Sequence, residues 1–268
     1  MRILSWNVNG VRSAAEKGLF SWLAAESPDV LCLQETKANP DQLAKEFLAP
    51  VDGDGKPYFA YWSSAKRRGY SGTALFSKAE PRDVVTLGVP EFDDEGRVVA
   101  ADFGGLVVVS AYFPNSQDAG ARLGYKLGFC RAIREFCDRV VKDGSHVVLS
   151  GDYNIAHKPI DLARPKENEG NPGYLPEERA WMDEFTGSSY VDSFRKFCPD
   201  PHRYSWWSYR MHAREKNVGW RIDYHCVDSG FAGAVESAGI LDTVTGSDHC
   251  PVEIVLKPDV APMKGRKR

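Results

Sequence analysis

No apolar run in this chain approaches the ~20 residues needed to cross a bilayer. The opening MRILSWNVNG is too short and too polar for a secretion signal, so a soluble, cytoplasmic protein without a membrane partner is expected. Cysteine pairing is missing as well. The six cysteines, Cys32, Cys130, Cys137, Cys198, Cys226 and Cys250, form no Cys-x-x-Cys pair and sit scattered in apolar contexts. They fit reduced thiols, and they exclude both a disulfide frame and a zinc site. No Gly/Ser/Pro linker, short repeat or low-complexity segment divides the 268 residues. One domain over residues 1–257 is therefore expected, followed by a basic, mobile tail at 258–268. Nor is there an excess of positive charge: the formal net charge is −3. A single basic face is nonetheless enough to bind DNA.

Such charge is present locally. Lys66-Arg67-Arg68 sits beside glycines, and residues 203–221 hold five Arg/Lys against one Glu, interleaved with aromatics. Strand-length apolar runs recur at 3–6, 30–33, 73–76, 98–103, 106–112, 147–149, 222–227 and 252–256. Helical spacing appears around Phe20, Leu23 and Ala24, then from Leu123 through Leu127, Cys130, Ile133 and Cys137 to Val140, and again after Pro176. Strands mixed with helices predict α/β layers. The runs at 98–103 and 106–112, joined by Gly104-Gly105, predict an antiparallel hairpin, which argues against a purely parallel sheet.

Polar residues cluster at the ends of these runs. The most informative group is GDYN at 151–154, which delivers a carboxylate and an amide at a strand end. On an extended chain Asp152 and Asn154, two apart, share a face, and so do Asn7 and Asn9 after the first run. Glu35, Tyr112, Asn115, Asp223 and the pair Asp248-His249 occupy comparable places. Singly, each has a plain structural explanation as a turn, rim or capping residue. Gathered at one end of a sheet sandwich, they would form one acidic cleft suited to phosphate-ester chemistry.

The motifs SWNVNG, LQETK, GYSG, YFPN, GDYN, NVGWRIDY and GSDHCP occur in this order between residue 2 and about residue 256. In this the chain resembles the exonuclease III family of AP endonucleases, within the endonuclease/exonuclease/phosphatase superfamily. The resemblance implies an α/β fold of the DNase I-like kind: a four-layered α/β sandwich of two packed mixed β-sheets flanked by helices. It implies a monomer that hydrolyses double-stranded DNA 5′ to abasic sites and trims damaged 3′ ends in base excision repair. It implies Mg²⁺, with Mn²⁺ as a substitute, near Asn7, Glu35, Asp152, Asn154, Asp248 and His249, with Glu35 the main ligand.

In this reading Asp152 is the base that activates water, with its pKa raised by Glu35 and Asp248. Asn154 donates to phosphoryl oxygens or holds that water. His249 binds phosphate and is oriented by Asp223, and Tyr112 acts as a phenol or a phenolate. Trp206, Trp220 and Ile222 resemble a wall that receives a flipped-out sugar without a base. Asn9, Lys66, Arg67, Tyr70, Asn115 and Asn171 would contact DNA. Two other readings are a phosphatase or sphingomyelinase of the same superfamily and a non-catalytic DNA-binding module. The basic-aromatic stretch weighs against the first and the complete set of catalytic groups against the second.

Overall fold

Strand alternation sorts the side chains of this protein into layers. In the computed structural model, which describes residues 1–258, twelve strands follow in chain order. They are β1 (Arg2–Asn7), β2 (Val30–Gln34), β3 (Phe59–Ser63), β4 (Thr73–Ser77), β5 (Asp83–Val85), β6 (Val98–Asp102), β7 (Leu106–Tyr112), β8 (His146–Asp152), β9 (Tyr190–Asp192), β10 (Asp223–Asp228), β11 (Val235–Ile240) and β12 (Val252–Leu256). The helices are α1 (Val11–Glu16), α2 (Leu19–Glu26), α3 (Lys45–Leu48), α4 (Pro90–Asp93), α5 (Leu123–Lys142), α6 (Pro176–Ser188) and α7 (Ser193–Phe197). Residues 259–268, most of the basic tail expected from the sequence, lie outside the described residues.

The strands make two six-stranded mixed sheets, ordered β11-β12-β1-β2-β4-β3 and β5-β6-β7-β8-β10-β9. In β1, Ile3 faces the other sheet, while Leu4 and Trp6 face α1 and α2. In β8, Val148 faces inward, while Val147 and Leu149 pack outward with Phe129 and Ile133 of α5 and Met182 and Phe185 of α6. The period of two along each strand thus builds helix, sheet, sheet and helix layers, the four-layered sandwich that the resemblance implied. The hairpin of β6 and β7 is antiparallel, as expected, and β7 pairs in parallel with β8.

Toward one end, the inner faces change from apolar to polar. Gln34 donates to Ser5 and to Ser110 of the facing sheet, each at 3.1 Å. His225 accepts from Ser150 at 2.7 Å and donates to the Val252 carbonyl at 3.0 Å, again across the sheets. Burial pushes its imidazole down to about 4, so it is neutral and structural. Every group of this seam is partnered, which fixes one sheet over the other just below the strand ends. Gly151 belongs to the same fit. A Cβ there would lie 1.8 Å from the Ala111 carbonyl oxygen, and φ is +148°, so β7 and β8 can approach as they do only over a glycine.

Candidate active site

Beyond the polar seam, the strand ends converge. Tyr112 pairs in register with Asp152, and Asp152 with Asp223, which sets three candidate groups in one row across the second sheet. Asn7, at the end of β1, faces that row. Its amide NH₂ donates to Asp152 Oδ2 at 2.8 Å and to Glu35 Oε1 at 3.0 Å, so two carboxylates share one nitrogen. The backbone N–H of Asn9 binds Asn7 Oδ1 at 3.0 Å, which forces this orientation of the amide. The NH₂ of Asn7, not its carbonyl, therefore faces the carboxylates.

Simple alternation does not describe the Asn7/Asn9 and Asp152/Asn154 pairs. β1 ends at Asn7 and β8 at Asp152, and Asn9 and Asn154 take left-handed backbone, with φ of 47° and 52°. Each pair is an Asx-type turn in which a strand-end side chain accepts the backbone N–H two residues on. Asn154 N–H donates to Asp152 Oδ1 at 2.7 Å, and its amide folds back to Oδ2 at 3.2 Å. Asn154 reaches the site because the chain turns there. Asn9 turns instead to Asp248 Oδ1 at 3.0 Å and to Lys37.

The electrostatics assign distinct roles to the acids. Burial raises the pKa of Asp152 above the carboxylate range, Asp223 and Glu35 add to it, and His249 opposes it. Asp223 takes the part that the sequence reading gave to Asp248. Burial also works against ionisation of Glu35, but Lys37, Asn7 and His249 outweigh it and hold the pKa low. The Lys37 ammonium stands 2.9 Å from Glu35 Oε2. Burial would push the His249 imidazole down, yet Asp223, Asp152 and Asp248 together raise it to about 10. Its Nδ1 donates to Asp223 Oδ2 at 2.9 Å, and Ser205 donates to the same oxygen at 2.6 Å. Burial, then Glu35 and Asp152, hold the Tyr112 hydroxyl well above the usual phenol value, so it is a donor and not a phenolate.

These groups open into one cavity of about 250 Å³, lined by Glu35, Tyr112, Asn115, Asp152, Asn154, Asp248 and His249. Trp206, Trp220 and Ile222 form its apolar side, with Pro172 and Gly173. The two indoles meet edge to face at 6.3 Å. Among the expected DNA contacts, Asn115 lines the cavity and donates to Asn154 Oδ1 at 3.2 Å. Asn171 adjoins Pro172 at its rim, and the loop carrying Lys66, Arg67 and Tyr70 hydrogen-bonds through Ser71 and Gly72 to Thr36 and Lys37. Lys66 pairs with Asp94 at the surface. The Tyr70 hydroxyl is engaged by Arg97 at 3.1 Å and Arg122 at 2.7 Å, and Arg67 lies over its ring at 5.6 Å. Arg221, from the basic stretch, is wholly buried between Asp161 and Asp192 and fixes the chain between Trp220 and Ile222.

Several supporting residues lay outside the sequence reading. Lys37 was visible inside LQETK but carried no role. Arg97 is buried, donates to the Tyr112 carbonyl at 3.0 Å and lies over its ring at 5.1 Å. Lys126, on the apolar face of α5, is fully buried, pairs with Glu178 of α6 at 2.7 Å and donates to the Asn154 carbonyl at 2.6 Å. A lysine within an apolar helical stripe was the available signal.

The donor set of the cavity suits a hard divalent cation. Its carboxylates and amides are oxygen donors, and no cysteine lines it. Asp152, Asp223 and His249 also bring ligand atoms within 4.8 Å of one another. His249 and Asp223 are already hydrogen-bonded as a charged pair, however, and an imidazolium offers no lone pair to a metal. Asp223 Oδ1 is buried without a partner.

Comparison with known proteins agrees with this geometry. Residues 4–249 match the model of the endonuclease/exonuclease/phosphatase family. The chain is 42% identical over 259 residues to an exodeoxyribonuclease of Bacillus subtilis, covering 96% of this chain and 99% of that one. It is 40% identical to the DNA repair nuclease APEX1 of Danio rerio, covering 96% and 82% of the two chains. The crystal structure of AP endonuclease LMAP from Leishmania major superposes with a TM-score of 0.84 at 32% identity, covering 96% of this chain and 88% of that one.

Proposed function

The chain belongs to the endonuclease/exonuclease/phosphatase family, as a nuclease of its exodeoxyribonuclease and AP endonuclease branch, and from that premise we propose a Mg²⁺-dependent DNA-repair phosphodiesterase that cuts 5′ to abasic sites. Trimming of damaged 3′ ends and 3′→5′ exonuclease action on double-stranded DNA belong to the same proposal. One observation carries it: an acidic, amide-lined centre and an apolar wall of Trp206, Trp220 and Ile222 share a single cavity. A baseless deoxyribose presents a phosphate to the first and an uncharged ring to the second. Extruding a nucleotide costs least where no base is stacked or paired.

Asp152, ionised, takes the proton of the attacking water, while Asn7 and Asn154 hold its carboxylate in place. The Tyr112 hydroxyl and the His249 imidazolium donate to the non-bridging phosphate oxygens, where negative charge grows. Asp223 keeps that imidazole charged and oriented. Mg²⁺, or Mn²⁺ in its place, held by Glu35 with Asp248 and Asn7 near it, would polarise the phosphate and offset charge on the leaving 3′ oxygen. His249 is thereby assigned to the phosphate and not to the cation. Asn115, which lines the cavity, and Asn9, Lys66, Arg67 and Asn171 would supply positioning contacts to the DNA backbone.

The charge states imply a pH profile. Cleavage should rise with pH through the raised Asp152 value and fall as pH passes the His249 value of about 10. In Asp223→Asn the chief partner that raises His249 is gone while burial still lowers it, so the alkaline limb should move to lower pH. A pH–rate profile of kcat/KM reads this directly, and an alkaline limb that stays in place would refute the role of Asp223.

The function itself is tested on end-labelled duplexes carrying one tetrahydrofuran, one dU, a nick or a recessed 3′ end, compared in Mg²⁺ with inositol phosphates and p-nitrophenyl phosphate. Incision at the tetrahydrofuran with little turnover of the small esters is expected. The reverse preference would move the protein to the phosphatase branch.

A further inference from the structure

Both oxygens of Asp248 are held, each by different donors. Oδ1 accepts from Asn9 at 3.0 Å and from Ser247 at 3.2 Å, whereas Oδ2 accepts from the Trp206 indole N–H at 3.0 Å. The next residue is held by a second indole, as Trp6 donates to the His249 carbonyl at 3.1 Å. The backbone reinforces the clamp. Trp206 bridges both Trp220 and His249, and Trp207 N–H donates to the Asp248 carbonyl at 3.0 Å. Such bonds are not a general habit of the chain, because the buried indole nitrogens of Trp22, Trp62 and Trp181 have no acceptor.

We propose that Trp206 is a positioning residue for Asp248, so that the wall of the sugar cavity and the carboxylate beside the cation site move as one unit. The ring forms the wall and the N–H aims the carboxylate. A bond to an ionised acceptor is among the stronger kinds of hydrogen bond, and a phenylalanine there would keep an aromatic wall without it. The inference rests on the proposed cation-dependent chemistry of the site. It adds that a sugar pressed against Trp206 and a cation near Asp248 influence each other's binding, by the same factor in both directions.

The test compares three forms: Trp206→Phe, a form carrying β-(3-benzothienyl)alanine at 206, and Trp207→Phe. The second keeps a bicyclic aromatic ring of similar shape and carries sulfur in place of the N–H. The third loses an indole whose N–H binds Asn217 at 3.1 Å and not Asp248. Mg²⁺ affinity is measured by calorimetry on DNA-free protein, and the Mg²⁺ dependence of tetrahydrofuran-duplex cleavage is measured in parallel. Both Trp206 forms should bind Mg²⁺ about tenfold more weakly, the scale found for partners that orient a metal ligand. Added Mg²⁺ should then restore their cleavage rate, and Trp207→Phe should bind Mg²⁺ like the parent. Parental affinity in the Trp206 forms, an equal loss in Trp207→Phe, or a parent that binds no Mg²⁺ would overturn the proposal. A parent that binds Mg²⁺ yet leaves abasic DNA uncut would sink the proposed function alone, and the calorimetry would still decide the role of Trp206.

Discussion

Asp152→Asn should lower the rate of abasic-site cleavage by ~10³–10⁴-fold while leaving affinity for a tetrahydrofuran duplex nearly unchanged. The asymmetry follows from the surroundings of Asp152. Its side chain is buried and accepts from Asn7 and Asn154, so it supplies a proton acceptor and no contact surface for DNA. An amide of the same shape keeps an oxygen for the donors on one side, sets its NH₂ toward those on the other, and removes the basic site. The substitution also removes a buried charge with its attraction to His249 and its like-charge crowding with Asp223 and Glu35. Single-turnover cleavage and a binding titration separate the two effects. Equal losses in rate and affinity would contradict the assignment of Asp152 as the base.

The second large effect is expected at Glu35. EDTA should abolish cleavage and Mg²⁺ restore it, and Glu35→Gln should cost at least ~10²-fold even at high Mg²⁺. Glu35 sits at φ +49°, a left-handed conformation that a non-glycine residue adopts at some cost, so its side chain is held in place by the fold and not by choice of rotamer alone. A glutamine still accepts from Asn7, so the geometry persists while the charge is lost. Lys37, left without its counter-ion at 2.9 Å, then adds a positive charge to the place where the cation is needed. Activity unaffected by EDTA, or a Glu35→Gln form that cuts at the parental rate, would remove the metal assignment.

The two predictions lean on residues that were legible in the sequence to different degrees. Glu35, Asp152 and His249 were found through motifs whose order alone brought them together, and one cavity holds all three. The neighbouring amides do not follow the strand period that their spacing suggests. Alternation stops at the ends of β1 and β8, where Asn9 and Asn154 turn the chain instead. A similar divide separates the strands. The eight expected runs correspond to β1, β2, β4, β6, β7, β8, β10 and β12, which occupy the interior of the sheets and carry apolar residues on both faces. The four not foreseen, β3, β5, β9 and β11, are the four sheet edges, where one side is open and the apolar signal thins. Residues such as Arg97, Lys126 and Arg221 could not be placed from local pattern. A buried charge is defined by partners far away in the chain, as Lys126 is by Glu178.

The most direct measurement is denaturing-gel analysis of a duplex 5′-labelled on the strand that carries a single tetrahydrofuran, incubated with the protein and Mg²⁺. Tetrahydrofuran cannot undergo β-elimination, so a cut there requires hydrolysis. The expected first product ends at the nucleotide before the lesion, with a 3′-hydroxyl that a polymerase extends directly; shorter bands follow as 3′→5′ trimming proceeds, and EDTA leaves no band. An intact strand in Mg²⁺, or a product whose 3′ end carries a phosphate and resists extension, would contradict a centre that directs water at the phosphate 5′ to the missing base.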